Sequence, residues 1–280
     1  MKNLEKTFNW EVIESPVVIN GREQSKKKAL MRSDTGDILS IKSNRYRVFS
    51  NEKFEKLIDR LVNLSGFEFM GFEEFQNGKR ILGFLRNTRP NLKLCGQAVK
   101  DYLVIGNSHD GSSKIFIGTS NFIFRCENQF TEKIRTYELT HIHELEFSDK
   151  ALMNLLNVYE SSRQNYYRSM EQLSLVPLTN DMIKELIDKL LIAEQPSSAK
   201  RERINRHLDQ KMMSNKERMF RESIIKETHA LGNNLWGLFN GVTHYSTHHI
   251  KSNAFLNSNG ASLAFNQKGL DICLALFNRS

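Results

Sequence analysis

The first half of the chain alternates apolar and polar residues with the two-residue period of β-strands. Residues 28–33 and 38–43 flank the turn sequence Asp-Thr-Gly-Asp and predict one hairpin. Residues 67–75 and 80–86 flank Asn77-Gly78, the strongest short hairpin signal, and predict a second. Shorter strands are predicted at residues 45–49, 102–105, 114–118, 122–126 and 135–139.

A helical period interrupts the strands once and then dominates the second half. Ser50 is a predicted N-cap and Gly66 the predicted end of a helix whose apolar face carries Phe54, Leu57, Ile58, Leu61 and Val62. Helices are predicted at residues 148–175, 179–193, 200–213, 214–231, 234–250 and 261–277, with a linker at 194–198 and a loop at 252–260. The predicted fold is α+β: an N-terminal strand-rich sheet with a packed helix (domain 1–147), followed by a mostly helical C-terminal half (domain 148–280).

The composition predicts a globular cytoplasmic protein. With 280 residues, 39% of them hydrophobic and 18 of them Phe, the chain can bury a core, which excludes collagen-like and fully disordered classes. Cys95, Cys126 and Cys273 lie far apart and form no CxxC, so no disulfide framework or zinc ribbon is indicated. Residues 1–14 carry scattered charges, and no run of 18 apolar residues occurs, so we predict neither a signal peptide nor a membrane partner.

The net charge of +8 is unevenly distributed. Residues 76–100 contain six basic and no acidic residues, and residues 22–47 contain eight basic and three acidic ones. Lys and Arg gathered on strands can displace counterions from phosphates, so these two regions predict a nucleic-acid groove. Aromatic residues interleave with the charges and either stack on unpaired bases or, as we favour, face the core: Tyr46, Phe49, Phe84 and Tyr102.

A polar loop lies between two predicted strands at residues 107–113 (Asn-Ser-His-Asp-Gly-Ser-Ser). It could offer backbone N–H groups to a phosphate, or a His/Asp pair for proton transfer. An ordinary hairpin turn, with the His and Asn side chains capping backbone groups, is the interpretation that the spacing favours. Its candidate residues are Asn107, Ser108, His109, Asp110 and Gly111.

Two histidine pairs suggest a metal site, but neither is complete in the sequence. His141 and His143 alternate on a predicted strand, and His244 and His248 are four residues apart on a predicted helix. No carboxylate cluster accompanies either pair, and the glutamate of a zinc-protease helix is missing. No phosphate-binding or dinucleotide-binding glycine motif occurs either. We therefore predict no metal, no cofactor and no catalytic residues.

Three segments carry a recognisable pattern: residues 107–113, residues 125–128 (Arg-Cys-Glu-Asn) and residues 235–245 (Leu-Trp-Gly-Leu-Phe-Asn-Gly-Val-Thr-His-Tyr). In this order and spacing they resemble a family of phage/plasmid-like proteins of unknown function. The run Arg32-x-Asp34-Thr-Gly36, followed by Tyr46 and a helix, also fits, and the resemblance covers about residues 25–277. It implies phage or conjugative-plasmid origin, often beside replication and recombination genes. It also implies a strand-turn-strand-helix core similar to that of single-strand annealing proteins.

The leading hypothesis is a non-enzymatic protein that binds single-stranded DNA in a basic groove and promotes annealing. The motif loop and Arg125 would complete the groove, and a ring or filament of identical subunits would extend it. The predicted phosphate contacts are Lys26, Lys27, Lys28, Arg45, Arg47, Lys79, Arg80, Arg86, Arg89 and Lys93. Two alternatives remain open: a metal-dependent nucleic-acid enzyme using His109, Asp110 and the histidine pairs, and a regulatory or host-defence-blocking protein without DNA affinity.

Overall fold

The computed structural model describes residues 5–88, 93–123, 128–137, 147–192, 206–250 and 260–280. Strands fill the N-terminal part and helices the C-terminal part, which confirms the predicted α+β class. The chain forms two compact units, the first from Met1–Pro90, Lys100–Ser120 and Thr131–Arg163, the second from Asn91–Val99, Asn121–Phe130 and Gln164–Ser280. The boundary predicted after residue 147 stays a prediction.

The first unit begins with a three-stranded antiparallel sheet of β1 (Val12–Ile19), β2 (Arg22–Arg32) and β3 (Ile38–Ser43). Pairing of β2 with β3 confirms the predicted hairpin, and its turn uses Gly36 at φ 74°. The sequence pattern does not predict β1, because Pro16 interrupts it. Pro16 lies on an edge strand beside a shift in register, where the missing N–H is tolerated.

Helix α1 (Asn51–Ser65) begins and ends at the predicted residues. Ser50 Oγ accepts a hydrogen bond from Lys53 N, and Gly66 closes the helix in the left-handed conformation at φ 69°. The strand predicted at residues 45–49 is wrong, because this segment has no ladder partner among the residues that the structure describes. Tyr46 N donates to Ser43 O instead, and this bond turns the chain away from β3.

A larger sheet follows, with the strand order β4 (Glu68–Phe75), β5 (Arg80–Arg86), β7 (Gln97–Ser108), β8 (Ile115–Ile123) and β9 (Asn128–Tyr137). The short β6 (Lys93–Leu94) pairs with β7. The predicted β4–β5 hairpin is confirmed. The strands predicted at 114–118 and 122–126 are one strand as far as Ile123, because the polar Thr119 and Ser120 between them are buried within β8. Residues 124–126 lie outside the described residues.

The core of the first unit lies between α1, α2 (Asp149–Ser174) and one face of this sheet. Alternate residues of the strands point to the helices, as the two-residue period requires. The buried members of this face on β5, β7 and β8 are Ile81, Leu85, Leu103, Ile105, Ile115 and Ile117. They pack with Phe54, Leu57, Ile58 and Leu61 of α1.

The remaining helices belong to the second unit. They are α3 (Asn180–Ile187), continued by a π-helical turn (Asp188–Ile192), α4 (Arg206–Leu231), α5 (Leu235–His248) and α6 (Ala261–Phe277). Thr179 and Asn234 cap α3 and α5 through their side chains. The break predicted at Ser214 is wrong, because α4 continues through it. The predicted linker at 194–198 and residues 252–259 of the predicted loop lie outside the described residues.

Helix α5 approaches α4 closely because two of its glycines face that helix. A Cβ on Gly241 would lie 2.7 Å from Ile224 Cα, and one on Gly237 would lie 2.2 Å from the carbonyl oxygen of Gly232. Backbone atoms cannot move aside as a flexible side chain can. The glycines therefore set the distance between the two helices.

We expect Gly237→Ala to lower the free energy of unfolding by about 2 kcal/mol, because the methyl group forces α5 away from the Gly232 carbonyl. Urea unfolding measures this change. Asn215→Ala, at an exposed position of α4, is the control, since it gains helix propensity without a close contact. If the Gly237→Ala protein were as stable as the control, Gly237 would not set the distance between α5 and the Gly232 carbonyl.

Candidate functional site

The motif loop, residues 107–113, is a tightly closed turn between β7 and β8. Ser108 Oγ accepts a hydrogen bond from Ser113 N (2.9 Å) and donates one to Ser113 O (2.7 Å). The Asp110 carboxylate accepts a hydrogen bond from Ser112 N at 2.9 Å, and Gly111 adopts φ 64°. The side chains of Ser108 and Asp110 thus satisfy backbone groups of the loop itself, whereas the hairpin-turn interpretation expects His and Asn to do so.

The backbone of His109 ties the two sheets of the first unit together. Its N–H donates to the carbonyl oxygen of Lys79 at 2.8 Å, and its own carbonyl oxygen accepts from Ser40 Oγ at 3.2 Å. Lys79 precedes β5 and Ser40 lies in β3. The motif loop therefore lies where the three-stranded sheet meets the β4–β5 hairpin.

The side chain of His109 is buried in a polar network at the start of α1. Asn51 Nδ2 donates to the carbonyl oxygen of Trp10 (2.9 Å), so Asn51 Oδ1 remains to accept from His109 Nε2 at 2.9 Å. The Trp10 and His109 rings meet edge to face, with their centroids 5.6 Å apart. Asn107 Nδ2 donates a hydrogen bond to the carbonyl oxygen of Phe49, two residues before Asn51, at 3.1 Å. These bonds hold the entry to α1 against the end of β7.

Burial lowers the pKa of His109 to about 4; the charge of Asp110 opposes this shift and that of Arg32 adds to it. His109 is therefore neutral at physiological pH and donates from Nε2. Its ring is engaged with Asn51 and Trp10, and the Asp110 carboxylate is occupied by Ser112 N. This arrangement favours a structural role for the His/Asp pair over proton transfer.

Neutral His109 makes the stability of the first unit depend on pH. The unfolded chain binds a proton near pH 6.5 and the folded chain only near pH 4, so this contribution is full above pH 6.5 and is lost as the pH falls towards 4. His109→Gln keeps a donor for Asn51 but does not titrate. We expect its loss of unfolding free energy between pH 7 and pH 5 to be about 2 kcal/mol smaller than that of the unchanged protein.

Urea unfolding at both pH values measures this difference, and His229→Gln, at an exposed position of α4, is the control. Equal pH dependence in the unchanged protein and in His109→Gln would mean that His109 does not titrate as its burial requires.

A second network surrounds Arg32, which is buried on β2. Its guanidinium donates two hydrogen bonds to Asp34 (2.9 and 2.8 Å) and one to Glu74 (2.8 Å), and stacks on Trp10 with Cζ 3.9 Å from the ring centroid. Trp10 Nε1 also donates to Glu74, at 2.7 Å. Gly78 leaves room for this stack, because a Cβ there would lie 2.5 Å from the Trp10 ring. The Arg32-x-Asp34 motif thus holds the two sheets together.

Strand β2, the segment at residues 42–47 and the residue before β5 carry cations that make no ion pair within the described residues. We call them the basic cluster: Lys26, Lys27, Lys42, Arg45, Arg47 and Lys79. Lys42 Nζ lies 5.5 Å from the centroid of the Tyr46 ring and would lie 2.7 Å from a Cβ on Gly111. The carbonyl oxygen of Lys26 accepts a hydrogen bond from Asn44 N at 3.2 Å, and the carbonyl oxygen of Lys79 accepts one from His109 N at 2.8 Å. Lys42 therefore lies beside the motif loop, Lys79 is held to the loop through its backbone, and Lys26 is held to the end of β3.

Other predicted phosphate contacts have different surroundings. Lys28 is buried and its Nζ pairs with Glu14 at 2.6 Å, and Arg86 pairs with Glu68, so both cations are already compensated. Arg80 Nε donates to Ser112 Oγ at 2.9 Å. Lys93 is exposed, but it belongs to the second unit.

Two predicted cations, Arg89 and Arg125, lie outside the described residues.

The aromatic side chains among the cations lie mostly in the core. Tyr46, Phe49 and Tyr102 are buried, and Phe84 is half-buried. Burial, with a smaller contribution from Asp110, raises the pKa of Tyr46 to about 12. The core interpretation of the first three is therefore right, and they offer no ring face for base stacking.

His244 on α5 has hydrogen bonds at both ring nitrogens. Lys226 Nζ donates to Nε2 (2.9 Å), and Nδ1 donates to Ser223 Oγ (3.1 Å). Burial and the nearby Lys226 lower the pKa of His244 to about 4. A metal bridging His244 and His248 would have to displace Lys226, and the described residues contain no group of three metal-ligating side chains. His141 and His143 lie outside the described residues.

Comparison with known proteins assigns the chain to a family. The family model described as Domain of unknown function (DUF932) matches residues 38–266, which is most of the chain. The chain belongs to the DUF932 family. Searches of the curated proteins and of the solved structures give no match. In the described part of this DUF932 chain, no helix is both long and apolar enough to cross a membrane.

The DUF932 match begins at β3, so it includes α1, the β4–β5 hairpin and the motif loop, but not β1 and β2. Sequence reasoning missed three residues of the site: Lys42, Asn51 and Trp10. Lys42 could have been found from the sequence, because it is one of the basic residues at 22–47. Asn51 and Trp10 could not, because they act through long-range contacts that no local pattern reveals.

Proposed function

We propose that this DUF932 chain is a single-stranded-DNA-binding protein of phage or plasmid origin that promotes strand annealing in recombination or replication. The basic cluster is the observation that carries the proposal. Six cations lie on segments that hydrogen-bond to one another or to the motif loop, and none of the six has an acidic partner in the described residues. Such a group is the electrostatic footprint that a phosphate backbone requires.

The absence of pairing in the basic cluster contrasts with the helices. Lys56 on α1 pairs with Glu52, and on α4 Arg218 pairs with Glu222 and Arg221 with Glu217. Like charges held close together repel one another and destabilise the folded chain unless a counter-charge arrives. An anionic ligand with several charges in sequence relieves this repulsion, and a nucleic-acid strand has that chemistry.

Removing three charges of the basic cluster should lower the salt dependence of DNA binding. For Lys26→Ala/Arg45→Ala/Arg47→Ala we expect the slope of log K against log salt to fall by about 2, because each phosphate contact on a single strand contributes about 0.7. Fluorescence anisotropy with a labelled oligonucleotide at several salt concentrations measures the slope. Unfolding should change little, since these side chains are exposed.

A matched control removes the same net charge elsewhere. Lys56→Ala/Arg218→Ala/Arg221→Ala eliminates three exposed cations that already have carboxylate partners, so its slope should equal that of the unchanged protein. If both triple variants lowered the slope equally, the effect would be one of net charge, and the basic cluster would not be the binding site.

Annealing requires more contact than one basic cluster supplies, because many bases must be held at once. We therefore expect the chain to form a cyclic or helical homo-oligomer when single-stranded DNA is present. Light scattering with and without oligonucleotide, together with the rate at which complementary strands pair, measures this. A strict monomer that does not accelerate pairing would contradict annealing and favour an interaction protein without DNA affinity.

A further inference from the structure

The three-stranded sheet has an inner face and an outer face of opposite character. The inner face carries Leu30 and Ser40, which are cross-strand partners, and Ser40 contacts the motif loop. The outer face consists of the alternate positions, in three adjacent rows. Its rows are Ile13, Met31 and Ile38; then Ser15, Ala29 and Ile41; then Lys27 and Ser43.

The outer face exposes apolar surface to an unusual degree. Ile13, Ile38 and Ile41 are 45%, 57% and 52% exposed. The described residues contain nine exposed large hydrophobic side chains, and five of them lie on β1 and β3. These five are Ile13, Ile38 and Ile41, together with Val18 and Ile19. Apolar side chains scattered singly need no explanation, but neighbouring ones on one sheet face indicate a binding surface.

Charge at the border of this face indicates what it binds. The apolar rows end at Lys27 and Ser43, and Arg45 and Arg47 follow within four residues of Ser43. None of the three rows contains a carboxylate. A ligand that fits has apolar surfaces along one side and negative charges along the other. A single DNA strand has both, whereas a duplex hides its base faces.

We propose that the bases of a single strand lie on the outer face, against Ile13, Ile38 and Ile41, while its phosphates contact Lys27 on the same face and Arg45 and Arg47 beyond Ser43. This inference rests on the proposed function and adds where the bases bind. Aromatic side chains usually stack on the bases of single strands, but Tyr46, Phe49 and Tyr102 are buried here. The bases therefore contact aliphatic side chains instead. A second copy of the chain fits less well, because the rows of its outer face contain no carboxylate to meet Lys27.

The test separates base contacts from phosphate contacts. Ile13→Thr/Ile38→Thr/Ile41→Thr keeps β-branched side chains in the strands and removes apolar surface. We expect this variant to bind a labelled oligothymidine at least about tenfold more weakly, with an unchanged salt slope. The unchanged protein should bind an abasic oligonucleotide of equal length as weakly as the variant binds oligothymidine.

The control variant is Val158→Thr/Leu175→Thr/Ile225→Thr, which changes three exposed apolar residues outside this sheet. It should bind like the unchanged protein, and thermal unfolding should show that both variants fold.

Each other outcome overturns the inference in a recognisable way. If the isoleucine variant binds oligothymidine like the unchanged protein, the bases do not lie on the outer face, although the proposed function survives. If the isoleucine variant changes the oligomer size by light scattering but not the affinity, the face is an interface between copies. If the unchanged protein binds no DNA at any salt concentration, the proposed function fails and this inference fails with it.

Discussion

The first unit depends on one buried cation, the Arg32 guanidinium. It has carboxylates from its own turn (Asp34) and from β4 (Glu74), and the Trp10 ring covers one side of its plane. Loss of Glu74 would remove the ion pair that joins the guanidinium to β4. Arg32 therefore links the three-stranded sheet to the β4–β5 hairpin.

From Trp10 the constraint passes to the motif loop through neutral hydrogen bonds. The carbonyl oxygen of Trp10 holds Asn51, and Asn51 holds His109, whose backbone in turn connects Lys79 with Ser40. The series brings together segments that are far apart in sequence, from Trp10 through the start of α1 to β3 and the residue before β5.

Local chemistry made part of this structure predictable. The N-cap Ser50, the C-terminal Gly66 and the Asn77-Gly78 turn act within a few residues, and the structure has each where the sequence predicts it. Partners of individual charges depend on register instead. Lys28 meets Glu14 only because β1 pairs with β2, and β1 itself is hidden by Pro16. A basic run thus predicts where positive charge is concentrated, but not which of its members are already paired.

Two neighbouring lysines of β2, Lys28 and Lys27, differ in pairing, and this difference links fold to function. On the inner face, Lys28 is buried and must have Glu14, because an unpaired charge there would lose its hydration without compensation. On the outer face, Lys27 stays in water beside exposed isoleucines and needs no partner for folding. Folding neither requires a partner for Lys27 nor buries the isoleucines beside it. These groups are therefore available to bind another molecule. The same β2 strand therefore provides both the structural lysine and the one available for a ligand.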